Sequence, residues 1–176
     1  MTADMNNKGR VVAMDVYESR LDRSAQRLRR AGAHNVERRA LDADNAKWIK
    51  RHKETFDRVL VDAPCTGTGT WRRNPDGRWT LRPEDLAELV PKQADILDAA
   101  SRLVKPGGGL VYATCSVLPA EDERQIEAFL ERHPEFTLVP ATDLSLPPET
   151  AAGPYLRLSP LKHGTDGFFA AAMVRK

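Results

Sequence analysis

The chain has 176 residues, of which 41% are hydrophobic and 30% charged, and its formal net charge is +2. That length and composition suit one domain with a real hydrophobic core and exclude a disordered chain. No run of about 18 apolar residues is present to span a bilayer, and the opening Met1-Thr-Ala-Asp-Met-Asn-Asn-Lys8 lacks the apolar stretch of a signal peptide, so a cytoplasmic protein with reduced thiols is expected.

Short apolar runs alternate with amphipathic helices, the pattern of a parallel sheet covered by helices. Val11 to Met14 reads as a buried strand ending at Asp15. A helix follows in which Leu21, Ala25 and Leu28 recur at helical spacing, with Gly32 as its C-terminal cap. The second strand runs from about Val36 to Leu41 and ends at Asp42. A short helix through Trp48 and Ile49 leads to a third strand, Arg58 to Val61, ending at Asp62.

From Ala63 to Pro83 the chain is rich in Gly, Pro, Thr and Arg and reads as a long ordered loop, a feature usually tied to function. Pro83 suits the first turn of a helix, and Pro91 is expected to start or kink a second one that packs through Ala94, Leu97, Ala100 and Val104. Lys105 to Gly109 should stop that helix, and Leu110 to Thr114 forms a fourth strand that delivers Cys115 and Ser116. A helix from about Glu121 to Arg132 and strands over 136–139 and 168–174 close the chain, the last two antiparallel.

Arg20, Arg23, Arg27, Arg29 and Arg30 cluster in one segment, which reads as a solvated helix face. Arg72, Arg73 and Asn74 lie in the Gly/Pro-rich loop and are the better candidates for phosphate contact.

Asp15, Asp42, Asp62 with Cys65, and Cys115 all fall just past the carboxyl ends of successive strands. Ligands bind at that edge of open α/β sheets. A lone strand-end Asp is commonly a helix cap. Four strand ends in a row bearing Asp or Cys favour a shared site. A carboxylate at Asp15 suits ribose hydroxyls, and one at Asp42 suits an adenine amino group, with Asp44 as its rival. Cys65 and Cys115 are the only cysteines, and the four histidines are scattered, so no zinc site is expected. The two thiols are then either inert and buried or a catalytic pair. Methylation of a pyrimidine at carbon 5 would employ both: one thiolate adds to carbon 6, and a second group removes the carbon 5 proton. Asp62 could hydrogen-bond the N3/N4 edge of cytosine. The residues alone do not say which thiol attacks.

Asp62-Ala-Pro-Cys-Thr-Gly-Thr-Gly69, Arg72-Arg-Asn-Pro-Asp76, Tyr112-Ala-Thr-Cys-Ser116 and His163-Gly-Thr-Asp-Gly-Phe-Phe169 together resemble the Sun/Nop-type RNA cytosine-5 (5-methylcytosine) methyltransferase family. The resemblance implies a Rossmann-like class I methyltransferase sheet, S-adenosyl-L-methionine as cofactor and ribosomal or transfer RNA as partner. It implies Cys115 as the nucleophile, Cys65 as the thiol that assists adduct breakdown, Asp15 and Asp42 as cofactor-binding acids, and Asp62 near both cofactor and target base. The family's Gly-rich cofactor loop, which precedes the strand ending at Asp15, has no counterpart here, because the chain begins at that strand's turn. The expectation is therefore an N-terminally truncated catalytic domain over 1–176 without the first strand and without a separate RNA-binding domain. The competing reading is a non-catalytic remnant that binds RNA or a partner subunit.

Overall fold

The computed structural model describes residue 2 and residues 4–176. The chain divides into two compact units, Met1–Trp48 and Ile49–Lys176.

In the first unit β1 (Val11–Asp15) pairs in parallel with β2 (Val36–Ala40), in a register that sets Asp15 opposite Ala40. The connecting helix α1 (Glu18–Arg30) is polar nearly all round and buries only Leu21. Gly32 follows the cap residue Ala31 with φ +64°, a left-handed turn suited to glycine. The N–H groups of Gly32 and Ala33 then return to the carbonyls of Arg29 and Leu28. β1 was expected to be buried, yet all five of its residues are only half-buried. Its apolar residues reflect strand propensity more than full enclosure. α2 (Asn45–Arg51) carries the chain into the second unit.

There, β3 (Phe56–Asp62), α3 (Gly77–Thr80), α4 (Pro83–Ser101), β4 (Val104–Thr114), α5 (Glu123–Arg132), β5 (Phe136–Val139), β6 (Ala151–Ala152), β7 (Tyr155–Leu158), α6 (Pro160–His163) and β8 (Phe168–Arg175) follow in turn. The sheet order is β3-β4-β8-β7-β6, and β5 also pairs with β8. β3 and β4 are parallel, joined through α4, while β8 runs antiparallel to β4, β5 and β7. Leu110, Tyr112, Phe169, Ala171 and Met173 project from one sheet face into a core completed by Leu97 of α4 and by Ile126 and Phe129 of α5. Burying each of the larger side chains contributes about 1.5–3 kcal/mol. Leu60 of β3 points the other way and is 55% exposed, so β3 alternates where a strand buried on both faces would not.

Three sequence expectations change. α4 is one helix with Pro91 inside it, because Leu97, Gln93 and Ser101 anchor its later turns and Gln125 donates to the Val90 carbonyl beside the proline. Lys105 to Gly109 belongs to β4 and does not terminate the helix. The glycines permit an irregular register there, with Phe56 opposite Val104 but Arg58 opposite Gly109. The helix expected from about Glu121 begins only at Glu123. The short β6–β7 hairpin was missed because its strands are too brief to show a period. Among the described residues no helix is long and apolar enough to cross a membrane.

Candidate active site

Asp62 and Ala113 are the last paired residues of β3 and β4, and Ala63 extends the ladder by donating its N–H to the Ala113 carbonyl. The loops that carry Cys65 and Cys115 therefore leave the sheet at the same edge. The two sulfurs, 50 residues apart in sequence, approach to 3.4 Å. Both thiols are free and half-buried.

At that separation the pair shares one proton readily, as S–H···S⁻, and carries two negative charges only with difficulty. A hydrogen bond from the Cys65 S–H draws the Cys115 thiol down to about 7, against the opposing pull of burial and of the Asp62 and Glu121 carboxylates. The same contact with Cys115, reinforced by burial, drives the Cys65 thiol far above its ordinary value. Cys115 is thus the thiol that ionises first. Asp62 lies exposed at the strand end. A cavity of about 410 Å³ opens beside Cys65, lined also by Thr66, Leu81, Asp85, Glu88 and Lys92.

The loop after Cys65 is fixed by two glycines. Gly69 donates its N–H to the Cys115 carbonyl and accepts from the Gly167 N–H. A methyl on Gly69 would lie 2.2 Å from the Gly167 oxygen and 2.8 Å from the Cys115 oxygen, so only glycine allows this crossing. The adjacent Asp166 is buried and receives Arg73 Nε at 2.5 Å, with Arg72 Nε 3.6 Å from its other oxygen. Asn74 donates to Thr70 Oγ1. Arg72, Arg73 and Asn74 are all exposed, although the inner nitrogen of Arg73 is committed to Asp166.

Four buried polar residues that sequence reading did not single out surround the thiol loops. Glu121 accepts from the Thr66 N–H at 2.8 Å, the Thr66 hydroxyl at 2.5 Å, the Ser116 hydroxyl at 2.5 Å and Gln93 Nε2 at 2.9 Å. Gln93 also donates to the Pro64 carbonyl, and Asp122 accepts from the Thr114 hydroxyl. Asp166 is the fourth. Glu121 and Asp122 fall at the start of the helix expected over about 121–132, and nothing in their local pattern marks them as interior.

Asp15 and Asp42 sit together in the first unit. Asp15 ends β1, and Leu41 N–H, one residue before Asp42, donates to its carbonyl. Asp15 Oδ1 accepts from the Tyr17 N–H, and Asp42 Oδ1 accepts from the Asp44 N–H. Each carboxylate therefore makes the local cap that a strand-end Asp commonly makes. Asp15 Oδ2 lies 3.7 Å from Arg20 Nη1. Asp42 pairs with Arg39, and Asp44 pairs with Lys47. Two carboxylates at the same end of adjacent parallel strands fit a ligand that presents a vicinal diol and an amino group.

The family described as 16S rRNA methyltransferase RsmB/F matches residues 1–174. A ribosomal RNA small subunit methyltransferase B from Citrobacter koseri is 43% identical over 169 residues, covering 96% of this chain and 37% of its own length. The solved structure of PH0851 matches with a TM-score of 0.88 at 41% identity, over 97% of this chain and 38% of that one. NSun6 from Pyrococcus horikoshii, solved with SFG, gives a TM-score of 0.81 at 26% identity, over 99% of this chain and 43% of that one. The chain thus spans well under half the length of these relatives, and the fold they share is the Rossmann-like methyltransferase fold.

Proposed function

Since the chain belongs to the 16S rRNA methyltransferase RsmB/F family, we propose that it is the catalytic part of an S-adenosylmethionine-dependent enzyme that methylates carbon 5 of a cytosine in RNA. The observation that carries this reading is the 3.4 Å contact between Cys65 and Cys115 at the carboxyl edge of two parallel strands. The names of the relatives favour small-subunit ribosomal RNA over transfer RNA as the substrate.

Cys115, the thiol that ionises first, adds to carbon 6 and turns carbon 5 into an enamine carbon able to take a methyl group. Asp62 accepts from the N4 amino group of the base and holds its edge toward the strand ends. Asp15 and Asp42 hold the cofactor through its ribose hydroxyls and adenine amino group. S-adenosylmethionine, when bound, supplies an electrophilic methyl group. Once the Cys115 sulfur is bonded to carbon it no longer accepts a hydrogen bond from Cys65 as a thiolate, so the main cause holding Cys65 in its S–H form disappears. Cys65 then gives its own proton to water and, as the thiolate, removes the carbon 5 proton as the carbon–sulfur bond breaks, which restores the aromatic ring and the Cys115 thiolate. Arg72, Arg73 and Asn74 contact the phosphates of the flanking strand.

An RNA carrying 5-fluorocytosine tests the assignment, because fluorine cannot leave as a proton. A covalent complex should form with the wild-type chain and with Cys65→Ala, and not with Cys115→Ala. Cys65→Ala should also accumulate an adduct on ordinary RNA. Trapping that survives in Cys115→Ala but disappears in Cys65→Ala would reverse the two roles.

A further inference from the structure

We propose that Glu121 is a positioning residue that ties the two thiol loops to one carboxylate and thereby sets the contact between Cys65 and Cys115. The inference rests on the reaction proposed above and adds to it the residue that holds the two working groups in place.

Glu121 is fully buried. Removing a carboxylate from water is costly unless donors replace the lost hydration. Here the replacement donors are all neutral, and they come from chosen places. Thr66, which gives two of them, directly follows Cys65, and Ser116 directly follows Cys115. The remaining donor, Gln93, reaches back to the carbonyl of Pro64, the residue before Cys65. On the other loop the residue before Cys115, Thr114, donates to Asp122, the neighbour of Glu121. Both flanks of both cysteines are thus held by Glu121 itself or by a residue bonded or adjacent to it. The hydroxyl of Tyr112 donates to the Glu121 carbonyl, fixing the main chain beneath the side chain. A carboxylate serves here because it accepts four bonds and donates none. An amide in its place keeps the bonds from the Thr66 N–H and Gln93 with its oxygen. Its NH2 then donates to the Thr66 and Ser116 hydroxyls, which must turn from donors to acceptors.

The sulfurs report directly on this geometry, since Cys65 and Cys115 are the only cysteines. In a glutathione redox buffer the two thiols give two electrons and two protons to one glutathione disulfide. The products are one protein disulfide and two glutathione thiols, and the equilibrium constant measures the effective concentration of one thiol at the other. We expect that value to fall about tenfold in Glu121→Ala and about threefold in Glu121→Gln and Ser116→Ala. The trapping rate with 5-fluorocytosine RNA should fall in parallel, and RNA affinity should not change. Phe136→Leu, a core change in β5, should lower the melting temperature without moving the effective concentration. If Glu121→Ala does not fold, the other two variants carry the test. An effective concentration unchanged in Glu121→Gln and Ser116→Ala overturns the proposal. Failure of the wild-type chain to trap 5-fluorocytosine would instead overturn the reaction assigned to the thiols, and would leave the exchange result standing.

Discussion

Arg73 donates from Nε to the carboxylate of Asp166, 93 residues later in the chain, and joins an exposed guanidinium to a buried acid. The acid cannot be rehydrated if the guanidinium is removed. Arg73→Ala should therefore cost about 1–2 kcal/mol in urea unfolding, a value reduced by the exposure of the arginine. Arg72, farther from the acid at 3.6 Å, should cost less than about 0.5 kcal/mol when replaced by Ala. Arg72→Ala should still lower the salt dependence of RNA binding by about one counterion, if the loop contacts phosphate as proposed.

Alkylation by iodoacetamide, followed by peptide mass spectrometry across pH, should modify Cys115 before Cys65, with a Cys115 midpoint of about 7. In Cys65→Ala the donor that stabilises the Cys115 thiolate is gone, so the midpoint should move up. In Cys115→Ala the main cause raising Cys65 is gone, so Cys65 should become reactive at a lower pH than in the wild-type chain. Midpoints that stay put in both variants would show that the thiols do not interact.

Asp122 is buried, and that burial lifts its carboxyl to about 7 despite the Thr114 hydroxyl and the nearby Arg157. A raised folded-state value means that the folded chain holds the proton more tightly than the unfolded chain. This contribution to stability is complete below the unfolded value of 3.8 and is lost as pH rises through about 7. Asp122→Asn has no proton to lose. The stability of the wild-type chain relative to this variant should fall by up to about 4 kcal/mol between about pH 4 and pH 8. A flat difference across that range would count against the shift.

Gly69→Ala should be among the most damaging single changes in the chain. The added methyl meets main-chain oxygens of Gly167 and Cys115, neither of which can rotate away. Thermal unfolding should register a loss of about 3 kcal/mol or more. Gly32→Ala meets nothing within 4 Å and should cost only the strain of its left-handed turn, about 1 kcal/mol.

Much of this architecture is legible residue by residue. The strand expected from about Val36 to Leu41 and the one over 136–139 lie where they were read, Pro83 marks a helix start, and Gly32 marks a helix end, because each depends on a few neighbouring residues. The placement of Cys65 and Cys115 after strand ends is legible for the same reason. Pro91 and the glycines of Lys105 to Gly109 misled, since packing of Leu97 and pairing of β4 with β3 outweigh their local preference.

Chain-local chemistry thus determined which residue types reach the edges of the strands, and with them the two thiols and the three aspartates. It did not determine that the thiols touch. That contact needs β3 and β4 to be neighbours in register, a pairing between segments 50 residues apart at the sulfurs. Nor did it reveal Glu121, whose side chain looks like any solvated carboxylate until Thr66, Ser116 and Gln93 converge on it. Burial and hydrogen-bond satisfaction are properties of the assembled core, and only the tertiary structure decides them.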